Sequence, residues 1–123
     1  MEAFTRTDHA EILSCLTDDI EHRVNEGAHR IGKAKFAEFC SHMGVSYREE
    51  LKDIVVMISK DATHASAEFV VHGIYKTTDE GLPPAKGQKY VLPAGTFFTI
   101  RDGKIARVTT YYNLEDWKTQ VLG

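Results

Sequence analysis

The chain has few of the residues that announce a particular chemistry. It holds two cysteines in 123 residues, Cys15 and Cys40. They lack the C-x-x-C spacing of a redox pair or zinc site, and both fall inside helical patterns, which reads as two buried free thiols. Charge of neither sign dominates: 15 Lys and Arg stand against 18 Asp and Glu, a net −3, with no basic block. That excludes the electrostatic footprint of a phosphate backbone, so nucleic acid is not expected as a partner. No apolar run approaches the roughly 18 to 20 residues of a membrane span. The opening "MEAFTRTDHAEILSCL" lacks a charged segment followed by an apolar one, so the expectation is a soluble, cytoplasmic protein. There is no G-x-G-x-x-G or G-x-x-x-x-G-K-[ST] phosphate loop, no G-x-S-x-G elbow, no H-x-H or H-E-x-x-H, and no His/Cys cluster. Nucleotide, serine-hydrolase and metal chemistry therefore have no motif, and neither a metal nor a cofactor is expected.

What is present reads as one domain over residues 1–123. Asp8 and Glu11 resemble a capping box ahead of Ile12, Leu13 and Leu16 on one helical face, predicting a helix over about 8–17. "DIEHRVN" alternates Ile20, His22 and Val24 against Glu21, Arg23 and Asn25, the period of a strand that buries one face and a histidine with it. In "KAKFAEFCSHMG", Phe36, Phe39, Cys40 and Met43 fall at helical spacing, and Gly44 is the expected stop. Three long strands follow, in "REELKDIVVMISK", "HASAEFVVHGIYKTT" and "QKYVLPAGTFFTI". Between the last two, Gly81, Pro83, Pro84 and Gly87 mark a loop that could overhang whatever the sheet encloses. The tail "LEDWKTQVL" suggests a short final helical turn. This order predicts an α+β fold, with helices on one side of a mostly antiparallel sheet.

The most informative stretch is "FFTIRDGKIARVTTYYN". Asp102-Gly103 is a two-residue hairpin turn that pairs Arg101 with Lys104. Thr96, Phe98 and Ile100 then share a face with Ala106, Val108, Thr110 and Tyr112, opposite Arg107, Thr109 and Tyr111. In "EFVVHGIY", Phe69, Val71, Gly73 and Tyr75 alternate with Val70, His72 and Ile74, so both faces are apolar. Helices can cover one face only; the other is expected to bury against a second copy in a homodimer, through Val70, Ile74, Thr109 and Tyr111.

With "LTDDIEH", "RIGKAKFAEF", "ASAEFVVHGIY" and "RDGKIARVTTYYNLEDW" in place, the chain resembles the nuclear-transport-factor-2-like superfamily. "TTDEGLPPAKGQKYVLPAG" narrows this to the bacterial proteins called ketosteroid isomerase-related. The resemblance implies a cone of curved, cystatin-like sheet wrapped around helices, enclosing an apolar pocket of the ketosteroid isomerase or polyketide cyclase type. It does not carry over the catalytic groups. The isomerase's basic Asp falls on Val24, beside Asn25; its protonated Asp falls on Thr96 or Gly95; its tyrosine falls before Met1. The cyclase's acid falls on Asn113.

Among the residues that remain, His22 is the candidate base, inward on its strand and titrating near neutral pH. Tyr112, with Thr96 or Thr110, is the candidate donor to a carbonyl oxygen. Phe69, Val71, Phe98, Val108 and Val24 are expected to wall the pocket. Asn25 and Asn113 either orient a ligand carbonyl or cap strand ends. The expected ligand is a small apolar carbonyl compound, with proton-transfer chemistry on it; the alternatives are a non-catalytic binding module and a protein-interaction domain.

Overall fold

The computed structural model describes residues 14–25, 27 and 29–122. Strand β1 (Leu16–Val24) and the short β2 (His29–Ile31) precede helix α1 (Lys33–Ser46). Then come β3 (Tyr47–Ile58), β4 (His64–Tyr75), β5 (Gln88–Arg101), β6 (Lys104–Tyr112) and helix α2 (Leu114–Leu122). The strands form one open, curved sheet of six in the order β2-β1-β6-β5-β4-β3. All pairs are antiparallel except β1 with β6, which run parallel.

The α+β expectation holds, with local differences. Residues 8–13 of the expected first helix lie outside the described residues. Strand β1 already begins at Leu16, and Cys15 is exposed in the turn before it, not buried; Cys40 is buried as expected. Helix α1 runs two residues past Gly44 and ends only where Tyr47 turns extended, at φ −133 and ψ 146, passing straight into β3. A single glycine costs a helix interior about 1 kcal/mol, too little to end it when Phe36 and Cys40 bury the face beneath. The tail forms a nine-residue helix.

The hairpin turns at Asp102 (φ 53) and Gly103 (φ 75), both left-handed as a two-residue turn of this kind requires. Simple continuation from Arg101↔Lys104 would set Phe98 opposite Arg107. A one-residue shift between Thr99 and Ile100 leaves Ala106 unpaired, so that Phe98 faces Val108 and Thr96 faces Thr110. The bulge is what puts the hydroxyls and the apolar side chains on a common inner face.

Two core clusters cover that face. Near α1 lie Leu16, Ile20, Phe36, Cys40 and Val108; near α2 lie Phe69, Val71, Tyr75, Tyr90, Leu92, Trp117 and Val121, and Phe98 packs against both. Helix α2 also completes the sheet. Past Ala94, β5 has no β6 partner, and the Gln120 side chain takes its place, accepting from the Val91 N–H (2.8 Å) and donating to the Val91 carbonyl (2.9 Å). Pro93, which has no N–H, stands in this half-free stretch, where a strand tolerates proline.

Candidate functional site

The register arranges the inner face in rows about 7 Å apart along the strands. One end row is His22–Val108–Phe98–Ala65, followed by Val24–Thr110–Thr96–Ala67 and then Tyr112–Ala94–Phe69. Beyond these come Leu92–Val71–Leu51, Tyr90–Gly73–Glu49 and Gln88–Tyr75–Tyr47. The expected wall residues Val24, Phe69, Val71, Phe98, Val108 and Thr110 all stand on this face, together with the expected catalytic residues His22, Thr96 and Tyr112. They are spread along it and do not converge on one point.

His22 is 3% exposed, and its ring lies 4.9 Å from that of Phe36 and 4.5 Å from that of Phe39. Its Nδ1 has no hydrogen-bond partner among the described residues. Burial, aided by the Arg30 guanidinium, lowers its pKa to about 4. Arg30 lies over the Phe39 ring, 4.8 Å from its centre. His22 is thus a neutral ring in an aromatic wall, with no partner for its Nδ1 among the described residues.

Thr96 and Thr110 share a hydrogen bond of 2.6 Å. Two hydroxyls bonded to each other use one proton between them, which leaves the second free to donate. Tyr112 stands one row on, half-buried, and its phenol has no hydrogen-bond partner among the described residues; burial raises its pKa, with the carboxylates of Glu49 and Asp79 adding to the shift. Both asparagines are engaged in the backbone: the Asn25 carbonyl oxygen accepts from the Tyr112 N–H (2.7 Å), and that of Asn113 accepts from the Asp116 N–H (3.0 Å), capping α2.

The structure adds a polar group at the β3 end that sequence reasoning missed. The Tyr90 phenol donates to Glu49 (2.5 Å), and Tyr47 donates to Asp79 (2.7 Å), whose other oxygen meets His42 Nε2 (2.8 Å). Burial raises the pKa of Glu49, opposed by the Tyr90 hydrogen bond. Tyr47 and Tyr90 are raised as well, by burial first and then by their carboxylate partners. Asp79 belongs to the proline-rich loop, which is further tied down by the Tyr75 phenol on the Pro83 carbonyl (2.7 Å) and covers the inner cluster with Leu82 and Ala85. The available signal was the alternation Tyr47, Glu49, Leu51, which places a carboxylate on the apolar side of its strand.

A recess of about 860 Å³ has walls that include Arg48, Glu50, His72 and Lys89, with Glu49, Gly73 and Tyr90 also bordering it. By alternation those four wall residues belong to the outer face. A second, of about 340 Å³, lies at the far end of β3 and β4 among Met57, Ile58, Phe97 and Arg107. Neither is lined by His22, Thr96 or Tyr112.

An open mixed sheet with its inner face covered by helices defines the nuclear-transport-factor-2-like α+β class. Within it the chain belongs to the SnoaL-like domain family, whose model matches residues 1–108. It is similar to a proposed polyketide cyclase from Xanthomonas campestris pv. campestris: 55% identity over 98% of this chain and 89% of that one, TM-score 0.94. Another, from Pseudomonas putida, is 55% identical over 98% and 90% of the two chains with a TM-score of 0.96. A third, from a Silicibacter species, is 57% identical over 98% and 88%, TM-score 0.95. No curated protein matches the chain. Among the described residues no helix is long and apolar enough to cross a membrane.

Proposed function

We propose that the inner face binds a small apolar carbonyl compound, of steroid-like or polyketide-like ring size, and that the protein moves a proton on it in an isomerase- or cyclase-type reaction. The observation that carries this reading is a set of hydrogen-bond donors among apolar neighbours: the Thr96–Thr110 pair with one proton to spare, and one row away the Tyr112 phenol, unpartnered among the described residues. A face built for packing alone would carry no such groups, because each costs free energy when buried without a partner. Membership of a family whose relatives include proposed polyketide cyclases supports the same class of ligand.

The test is recognition of the carbonyl itself. Titration with the bicyclic ketone 2-tetralone, read by ligand-observed NMR, should show binding about 5- to 10-fold tighter than that of tetralin, which has the same shape and no oxygen. Tyr112→Phe and Thr96→Val should erode the difference. Equal binding of the two compounds, or none of either, refutes the reading.

A second reading, binding without turnover, is favoured by the setting of His22: a base with a pKa near 4 and no orienting partner is a poor proton carrier at neutral pH. If His22 moves the proton, its imidazole resonances shift on 2-tetralone binding and His22→Ala ends turnover while ligand still binds.

We also propose that the outer face pairs with a second copy. Its Phe97 and Tyr111 form an edge-on ring pair at 5.9 Å, 47% and 43% exposed. The same face carries Glu68 beside this pair and Glu50, Lys89 and Arg48 toward its other end, charges of both signs that a twofold contact can match. Light scattering should give twice the 13.8 kDa chain mass, and Tyr111→Glu should return it to one; a monomeric parent overturns this.

A further inference from the structure

The recess of about 860 Å³ at the β3 end of the sheet has been given no role. The register builds its outer-face floor in two rows across β3, β4 and β5: Arg48–Ile74–Lys89 and, beside it, Glu50–His72–Val91. Ile74 is the centre. Arg48 and Lys89 flank it on the neighbouring strands, and His72 stands next to it on its own strand and face. Past the end of β4, the Lys76 ammonium donates to the Gly44 carbonyl at 2.9 Å, and both residues border the recess. Strands two apart are separated by about 9.6 Å, so the long side chains of Arg48 and Lys89 can meet above Ile74. Arg48, Lys89 and Glu50 are exposed and His72 is half-buried, and none of the four has a hydrogen bond or ion pair among the described residues.

We infer that this recess binds a phosphate monoester whose organic part is apolar. Its outward charges are the cations of Arg48, Lys76 and Lys89 against the carboxylate of Glu50, a net positive site on a chain whose total charge is −3. A phosphate monoester carries about two negative charges near neutral pH, which the site can neutralise. The donors also suit its shape. Arg48 can hold two oxygens with its planar fork, Lys89 and Lys76 supply point charges from other sides, and a ring N–H of His72 is one more donor. A carboxylate would be satisfied by the arginine alone. Ile74, half-buried, and Val91, 49% exposed, present apolar surface beside the charges for the body of the ligand.

Glu49, which also borders the recess, does not cancel this charge. It belongs to the inner side, where the Tyr90 phenol donates to it at 2.5 Å across Gly73, the position at which a Cβ would run into the Tyr90 ring. Burial raises the pKa of this carboxyl, which favours its uncharged form. The recess is separate from the other two surfaces as well. Along β4, Ile74 lies roughly 20 Å from Glu68, the residue beside the Phe97–Tyr111 pair. None of His22, Thr96 and Tyr112 lines it, so the site works independently of a ligand on the inner face.

The probe is 2-naphthyl phosphate, titrated into the full chain by ligand-observed proton NMR at one fixed ionic strength, beside 2-naphthoate and 2-naphthol. The phosphate should bind about tenfold tighter than the carboxylate, and the naphthol most weakly. Arg48→Ala should weaken the phosphate about five- to tenfold and Lys89→Ala about threefold, while Arg48→Lys restores part of the first loss. Glu50→Gln should tighten it about twofold. Lys104→Ala makes the same charge change at the hairpin turn, away from the recess, and should leave the affinity as it was. All four of these side chains are exposed, so the variants keep the fold. Equal affinity for phosphate and carboxylate, an equal loss in Lys104→Ala, or displacement of the bound phosphate by 2-tetralone each overturns the assignment, the last by placing the compound on the inner face. No binding, as when acidic side chains of a second copy fill the recess, overturns it too.

Discussion

The sharpest test of the geometry is Gly73→Ala. The added methyl would enter the space of the Tyr90 ring, which is 2% exposed and held between the Glu49 hydrogen bond and Trp117, 6.0 Å away in an edge-on contact. If Tyr90 swings aside, a hydrogen bond to a charged or acidic group is lost, about 1.5–3 kcal/mol. If it stays, the overpacked core strains by about 1–3 kcal/mol. Acting the other way, alanine is about 0.5–1 kcal/mol more favourable than glycine in a strand. The net expectation is a destabilisation of about 1–2.5 kcal/mol, read as a lower urea midpoint with an unchanged slope. The same substitution in a Tyr90→Leu background separates clash from a simple backbone effect: with the ring gone, the alanine should cost less than about 0.5 kcal/mol or stabilise slightly. A Gly73→Ala protein within about 0.5 kcal/mol of the parent, or an equal cost in both backgrounds, would refute the account of why this strand carries a glycine.

His22 gives a pH signature. Its folded value of about 4 lies below the ordinary 6.5, so its neutral form is favoured on folding; that contribution is complete above about pH 6.5 and is lost as pH falls toward 4. It amounts to roughly 3 kcal/mol, so His22→Leu should flatten the loss of stability over this window in urea titrations at several pH values; an unchanged pH dependence would show that His22 is not buried neutral. Gln120→Ala removes both side-chain bonds to the β5 backbone and should cost about 1–2 kcal/mol while speeding hydrogen exchange at the Val91 amide; unchanged exchange would mean that α2 does not complete the sheet.

What the sequence made legible was whatever depends on neighbours along the chain. Asp102-Gly103 specifies its turn because two consecutive left-handed residues leave few alternatives. The alternation of Ile20 and His22 with charged neighbours specifies which side is buried, and His22 lies inward as that period demands; in Phe69–Tyr75 both faces are apolar and the period alone does not choose between them. The Ala106 bulge was not legible, because a one-residue slip changes no local propensity and is decided by whether Phe98 meets Val108 or Arg107 across the ladder. The Glu49–Tyr90 pair was less legible still. It joins residues 41 apart in sequence across an intervening strand, and it exists only because Gly73 falls in the same row. A glycine inside a strand reads locally as a weakness; here it is the space through which one side chain reaches another. Helix α1 shows the opposite error, since Gly44 reads as a stop and is overridden by the packing of Phe36 and Cys40.

The two ends of the inner face carry the same physical effect with opposite chemical consequences. His22 at one end is buried and Glu49 toward the other is half-buried, and in each burial favours the uncharged form. For an imidazole the uncharged form is the base, so holding on to it means reluctance to accept a proton. For a carboxyl the uncharged form is the acid, so a raised pKa means a carboxylate that accepts a proton more readily than one in water. A histidine therefore needs a neighbouring anion or hydrogen-bond acceptor to remain a useful base in such a setting, and at His22 the charge that acts is the cation of Arg30. A carboxylate needs one donor to hold its geometry without restoring its full acidity, and Glu49 has one in Tyr90. The sequence pattern pointed to the residue type that titrates near neutral pH in water. The folded environment shifts each group toward its uncharged form, which weakens the imidazole as a base and strengthens the carboxylate.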